Sequence, residues 1–564
     1  MPPFSLSSPT DFDAISRWLA ALPWLNMEQT GSNVLEQLAA LDQTPLPADR
    51  RARIVELYHP YLMEFTETLE RHLLDAAIPL SPANRAVAKL LLALCQRMGS
   101  NFSRLVFSPD FAAGDCFKAN ERRDLLLHNI DWLTRLGLHY AQIYLEPGVN
   151  YWRTVYRIFQ LTDSKQIFSP HSDIRAEVQG HLARILLFSV ATPHKFRPRE
   201  LKQIDQFLQQ FAQQAKFDHH STLNGYKAVF FFDTKTPAPP KPIKLLGQMS
   251  PPPARLHFLF PQKVSRALLK FVTFKEDREE ILLPPRQAKK LALHLARVYS
   301  APKRRKWKRL EEDGHCQLVV GIDELLSILV AQNRIPDELF ELLPSHREQT
   351  ETEGLLEEDF ELIPLSDDFS PSSYEQRSET KILWELAASR NRLDKTDIWT
   401  DKNLSLLGNC KDQARGRITN SSAEGYRLIW LDHNREKLKV GEIIGILHTQ
   451  GEVEIGAIRW LKQEAKQAIS VGVELISFAI SGVVVHQHLP GTREAVETRR
   501  ELGLLLPPQP ALEKPAGLLL PTHGWTQGQW VQIYRNKSSH EIYHLAQLVD
   551  STPVYDLFSL TPLN

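Results

Sequence analysis

Residues 414 to 431 read ARGRITNSSAEGYRLIWL. Two candidate strands, Ala414 to Thr419 and Gly425 to Leu431, flank the turn-forming hexad Asn420 to Gly425. Asn and Ser favour turns, and Gly closes one because it tolerates positive φ. Three further candidate strands follow, Ile443 to His448, Glu454 to Lys462 and Ala468 to Ile476. Turn signals separate them at roughly ten-residue intervals, the spacing of a small barrel or sandwich. A last segment, Gly517 to Leu560, carries GLLLP, QWVQIY and EIYHLAQLVD and reads as a second small β module or an extension of the first.

Upstream the texture is different. Apolar residues recur every three to four positions in Asp11 to Leu22, Arg51 to Leu74, Arg122 to Ile143, Ile174 to Phe188 and Arg199 to Phe217, which predicts helices. Ser81-Pro82 ahead of RAVAKLLLALCQRM marks another helix start, with proline in the first turn. No strict repeat period is present, so a named solenoid family is not supported. YKAVFFFD (226 to 233) and LHFLF (256 to 260) read as short strands, with a proline-dense stretch between them. Arg286 to Tyr299 reads as a helix. The basic cluster KRRKWKR (303 to 309) and the strand-like HCQLVVG (315 to 321) follow. Acids crowd residues 348 to 369, predicting a solvated linker, with a helix expected at Glu379 to Ser389.

These readings predict a multidomain α+β protein. An all-α N-terminal helical domain (1–220) precedes a mixed α/β connecting region (221–300). An arginine motif and first barrel strand (301–335) and an acidic insertion with a helix (336–400) come next. A β-barrel (401–485) and a C-terminal β module (486–564) complete it. The 564 residues suit three or four domains at about 150 residues each. Basic and acidic residues number 67 each, so the net charge is zero, which disfavours a surface built wholly for nucleic acid or anionic membrane. Four scattered cysteines without a CxxC pair argue against a zinc ribbon and a disulfide framework. No secretory signal or run of about 18 apolar residues is visible, which predicts a cytoplasmic protein without a membrane span.

The hexad NSSAEG fits the pattern Asn/Asp-x-Ser-x-x-Gly. EIGAIRW (454 to 460) and VGVEL (471 to 475) follow it, and Arg-Arg-x-x-x-Arg (304, 305, 309) precedes it. Together these resemble the PilZ domain, a small antiparallel β-barrel that binds cyclic di-GMP. The long helical N-terminus and the extra C-terminal module resemble FimW-type cyclic di-GMP receptors. The resemblance implies a nucleotide site made by Arg304, Arg305, Arg309, Asn420, Ser422 and Gly425. The chemistry is apt, because arginines fork onto phosphate and guanine O6/N7 and stack on purines. It further implies a signal receptor whose helical domain contacts an effector protein serving surface attachment, pili or motility, with no cofactor besides the ligand.

One departure stands out. The two signatures of the family lie a few tens of residues apart, whereas here Arg309 and Asn420 are separated by the acidic segment. Either the barrel is split, with HCQLVVG as its first strand and the acidic segment as an insertion, or the arginine role falls to Arg390 and Arg392 or to Arg415 and Arg417. The split barrel is the expectation, since a strand directly after the arginines is the family order. A long insertion adds only about 0.6 kcal/mol per doubling of loop length.

Other candidates read more plainly. KRRKWKR has the Trp-interleaved look of a nucleic-acid patch, but it is one short cluster in a neutral chain. His219-His220 and His486-x-His488 lack a carboxylate or cysteine at matching sequence spacing, so no metal site is expected. The nucleophile-elbow, P-loop, zincin and dinucleotide motifs are absent, so a binding protein is expected rather than an enzyme. The competing reading is a PilZ-like scaffold that no longer binds nucleotide and works through protein contacts.

Overall fold

The computed structural model describes residues 10–113, 116–163, 173–223, 225–247, 255–273, 282–300, 310–331, 335–336, 338–339, 414–422, 424–431, 438–447, 453–464, 468–488, 499–510, 513–522 and 524–563. Two units emerge, one of residues 1–306 with 461–467 and one of residues 307–460 with 468–564.

The first unit is built from helices Phe12–Ala21, Met27–Gln43, Ala48–Arg71, Pro82–Val106, Ala119–Gln142, Val149–Asp163, Asp173–Val190 and Pro198–Phe211. Their starts follow from local chemistry. Asp11 accepts from the Ala14 amide at 3.1 Å and Ser81 from the Asn84 amide at 3.1 Å, each satisfying a first-turn N–H that has no helical partner. In Pro82–Val106 the buried positions Leu91, Leu94, Cys95, Met98, Phe102 and Leu105 fall on one stripe, which turns inward. Two of these eight helices have no counterpart in the periodicity reading, Met27–Gln43 and Val149–Asp163. Arg51 closes the first of these, donating to the carbonyls of Leu41 (3.1 Å) and Thr44 (2.6 Å) at its C-terminal end. A four-stranded sheet runs Lys216–Asp218, Leu256–Phe260, Phe230–Asp233, Lys241–Pro242 in spatial order, and helices Gln262–Thr273 and Pro285–Ser300 complete the unit.

The second unit holds two closed barrels. The first uses β1 (Leu310–Val320), β2 (Ala414–Ser422), β3 (Gly425–Trp430), β4 (Ile443–Leu447), β5 (Val453–Gln463, whose last residues fall in the first unit) and β6 (Ile469–Ser477). Around the barrel the order is β1-β2-β3-β6-β5-β4, and β4 closes on β1 through Ile444↔Val320 and Leu447↔Gln317. The barrel is therefore split in sequence, its first strand lying far upstream of the second. That strand also starts earlier than HCQLVVG: Leu310 and Glu311 pair with Ser421 and Asn420. Pairing with a formed partner strand overrides the poor strand propensity of the LEEDG stretch.

The second barrel uses β7 (Ser481–His488), β8 (Arg500–Leu506), β9 (Gly517–Pro521), β10 (Trp530–Asn536), β11 (Ser539–Ser551) and β12 (Tyr555–Pro562). Its order, β7-β8-β9-β12-β11-β10, repeats the topology of the first. One apolar cluster lies between the two barrels, on the face of each that points away from its interior. It takes in Leu325, Leu326 and Leu329 of helix Ile322–Ala331, Ile443 and Ile455 of the first barrel, and Val484, Leu504 and Tyr555 of the second. The expected acidic linker, the helix at Glu379 to Ser389 and the cluster KRRKWKR lie outside the described residues. Among the described residues no helix is long and apolar enough to cross a membrane.

Candidate functional site

The hexad NSSAEG forms the β2–β3 hairpin, with Ser422 paired to Gly425, Ser421 to Tyr426 and Asn420 to Arg427. Gly425 sits at φ +151, and a Cβ there would come within 2.0 Å of the Val473 carbonyl oxygen on β6. The glycine is thus required by the close approach of a neighbouring backbone as well as by the turn. Ser422 is engaged inside the hairpin, its hydroxyl donating to the Gly425 carbonyl at 3.1 Å while its lone pairs stay open to an incoming donor. The half-buried Asn420 amide has no hydrogen-bond partner among the described residues.

A bulge between Ile418 and Asn420 sets which side chains face out. Ile418, Leu428 and Val471 point into the barrel, so Asn420, Arg427 and Gly472 share the outer face, with Asn420 opposite Arg427 and Arg427 opposite Gly472. The Arg427 guanidinium donates to Ser470 at 3.3 Å. A Cβ on Gly472 would lie 1.7 Å from the Trp460 indole nitrogen, so Trp460 of β5 is bedded on that glycine. An amide, a guanidinium and a half-buried indole therefore meet beside the hairpin, an arrangement able to read a guanine edge and stack on a purine face.

Asn420, Ser422 and Gly425 are brought together. Arg304, Arg305 and Arg309 lie outside the described residues, as do Arg390 and Arg392. Still, Leu310, the residue after Arg309, pairs with Ser421. Arg415 and Arg417 are exposed on β2, with Arg417 3.8 Å from Asp313. Arg427 and Trp460 were not singled out from sequence. The available signals were the outward register of Arg427 in GYRLIW and the glycine at 472 that makes room for an indole.

The hairpin is wired to the second barrel. The Leu475 amide donates to the Glu424 carbonyl at 2.8 Å, and the Leu475 carbonyl accepts from Lys514 Nζ at 2.9 Å. Gln509 Nε2 donates to Ser477 Oγ at 2.9 Å. Arg459 joins Glu474 (2.5 Å) to Asp550 of β11 (2.7 Å), and although burial lowers its pKa these carboxylates hold it up.

The histidine readings divide. His486 packs on Tyr534 and His488 meets Gln532 at 3.2 Å, which occupies that pair inside the second barrel. His219 instead stands beside Asp163 and His257, carboxylate and imidazole partners that sequence spacing did not reveal.

Comparison with known proteins gives three consecutive family-model matches: "Cyclic-di-GMP receptor FimW, N-terminal domain" over residues 13–221, "Cyclic-di-GMP receptor FimW, middle PilZ domain" over 229–480, and "FimW C-terminal beta-barrel domain" over 492–563. A curated relative, the Cyclic-di-GMP receptor FimW of Pseudomonas aeruginosa, is 22% identical over 555 residues, covering 92% of this chain and 85% of that protein.

Proposed function

Because the chain belongs to the three-part, PilZ-containing FimW receptor family, we propose that it binds cyclic di-GMP on the outer face of its first barrel and reports occupancy to a protein partner. The observation that carries this reading is the register of β1. Leu310 opposite Ser421 and Glu311 opposite Asn420 bring the exit of the arginine segment to the NSSAEG hairpin. Arg305 and Arg309 neutralise the phosphates through charge-assisted bonds, with Arg304 beside them. Asn420 and Ser422 contact guanine edges, Gly425 permits close backbone approach, and Trp460 with Arg427 offers a stacking surface. Binding is the whole of the activity, with no catalytic step.

Ligand shifts the protein only as far as it binds one of the protein's states more tightly than another. The hairpin's hydrogen bond to Leu475, and that residue's bond to Lys514, supply a route from the site to the second barrel. The effector is a cytoplasmic protein of a surface-attachment, pilus or motility system.

Isothermal titration of the full chain with cyclic di-GMP tests the reading. Saturable binding at micromolar or lower ligand is expected. Arg309→Ala and Asn420→Ala each weaken it about tenfold or more, roughly 1.4 kcal/mol, while Arg390→Ala and Arg392→Ala leave it unchanged. Absence of heat at high micromolar ligand favours the scaffold that has lost its nucleotide. Loss through Arg390 and Arg392 with Arg305 and Arg309 silent moves the arginine role to that pair.

A further inference from the structure

Three segments remote in sequence meet in the first unit. Asp163 ends the helix Val149–Asp163, His219 follows the strand Lys216–Asp218, and His257 lies in Leu256–Phe260, the strand paired with Lys216–Asp218. One ligand atom from each, a carboxylate oxygen and two imidazole nitrogens, lies within 4.8 Å of the other two. We propose that Asp163, His219 and His257 form a binding site for an imidazole-preferring divalent cation of the zinc class, with the remaining coordination position open to water.

The geometry is close to what such an ion needs. Tetrahedral zinc with bonds of about 2.0–2.1 Å puts its ligand atoms about 3.4 Å apart. His219 Nε2 and Asp163 Oδ2 are already 3.5 Å apart. The other two separations are at most 4.8 Å, so closing the triangle takes shifts of about an ångström, to which the exposed His219 side chain contributes on its own two sides. The surrounding groups favour this set over its neighbours. Arg175 holds the other Asp163 oxygen, Oδ1, at 2.5 Å, orienting the carboxylate as outer-shell partners do at metal centres and leaving Oδ2 turned to His219. His257 is buried, lying flat on Phe232 (ring centroids 5.4 Å, 17°) with its ring edge-on to Phe159 (4.8 Å, 77°), so its orientation is fixed by packing. The adjacent histidine and carboxylates are occupied: His220 is bound to Asp218 at 2.9 Å, and Asp233 is held by Arg255 at 3.0 Å.

Two neutral nitrogens and one carboxylate suit zinc, cobalt or nickel and disfavour calcium and magnesium, which want oxygen ligands. A bound ion ties the end of a helix to two strands of the sheet, so metal binding stabilises the unit's fold.

The full chain, stripped with EDTA and free of nucleotide, is titrated with CoCl2, and ZnCl2 is then added to displace the cobalt. The expected result is saturable binding at micromolar or lower Co2+, with the visible bands of a low-coordinate site, displaced by Zn2+. His219→Ala and Asp163→Asn each weaken it at least tenfold, and His220→Ala leaves it unchanged. Zn2+ raises the melting temperature of the parent and not of His219→Ala, a surface change that leaves the fold intact. No saturable binding below about 100 μM, or equal binding by the parent, His219→Ala and Asp163→Asn, overturns the proposal. So does retention by either variant alone. Cyclic di-GMP binding plays no part in the readout, so this test and that of the nucleotide site succeed or fail separately.

Discussion

Gly425 combines two constraints, a backbone at φ +151 and a neighbouring carbonyl where a Cβ would stand. Gly425→Ala must distort the hairpin or push β6 away, at a cost of more than about 1 kcal/mol. A lower urea midpoint and weaker cyclic di-GMP binding are expected together, and an unchanged midpoint would show that the collision is relieved without cost. His59 carries a different constraint. Burial, with His128 stacked on it at 4.1 Å, pushes its pKa down to about 4, and its Nδ1 accepts from the Trp132 indole at 3.1 Å. Below about pH 6.5 the unfolded chain takes up a proton that the folded one refuses until about pH 4, so stability falls as pH drops through that window. His59→Gln removes this difference. Melting temperatures at pH 7 and pH 5 should therefore differ less in the variant than in the parent, and an equal drop would assign the acid sensitivity to other groups.

Among the elements, legibility followed locality. The strands from Ala414 to Ser477 show in sequence because turn residues punctuate them, and their observed ends fall within a few residues of the expected ones. Met27–Gln43 did not show, because its first turns, MEQTGSN, are polar and hold a glycine, although burial against other helices keeps them helical. The closure of β4 on β1 and the meeting of Asp163, His219 and His257 are set by tertiary pairing, which leaves no local pattern. The candidate site was half legible for the same reason. The hairpin motif is contiguous, whereas the platform of Arg427, Gly472 and Trp460 needs three strands to be in register. The β8–β9 connection is likewise understood only in place. In the second barrel it stands where NSSAEG stands in the first, yet it carries Gln509 and Lys514, which bond to the end of β6. Lys514→Met removes a donor from two half-buried carbonyls, those of Leu475 and Ile476. The unit should lose about 1–2 kcal/mol in urea unfolding, with cyclic di-GMP affinity altered less than by Asn420→Ala. Affinity lost in full would make Lys514 part of the site itself.

At the scale of the whole molecule, the two barrels share topology and share a core. Helix Ile322–Ala331 with Ile335 and Leu339 joins one apolar cluster to Ile443, Val453 and Ile455 on one side and to Val484, Leu502, Leu504, Leu519 and Tyr555 on the other. Nothing in that cluster can be divided at the β6–β7 turn without opening apolar surface to water. Each fully buried Leu or Ile so exposed forfeits about 1.5–3 kcal/mol, and a domain's net stability is only about 5–15 kcal/mol. A chain ending at residue 480 should therefore fail to hold the first barrel: it is expected to aggregate or to bind a hydrophobic dye. A chain spanning 307–564 should instead unfold in a single transition, seen alike by the Trp460 and Trp525 environments. Two separate transitions in the longer chain, or a soluble folded fragment ending at 480, would mean that the barrels are independent and that the nucleotide site needs no second barrel behind it. A single transition makes the second barrel part of the receptor's switching element, since whatever loosens or tightens the NSSAEG hairpin acts on a core that both barrels own.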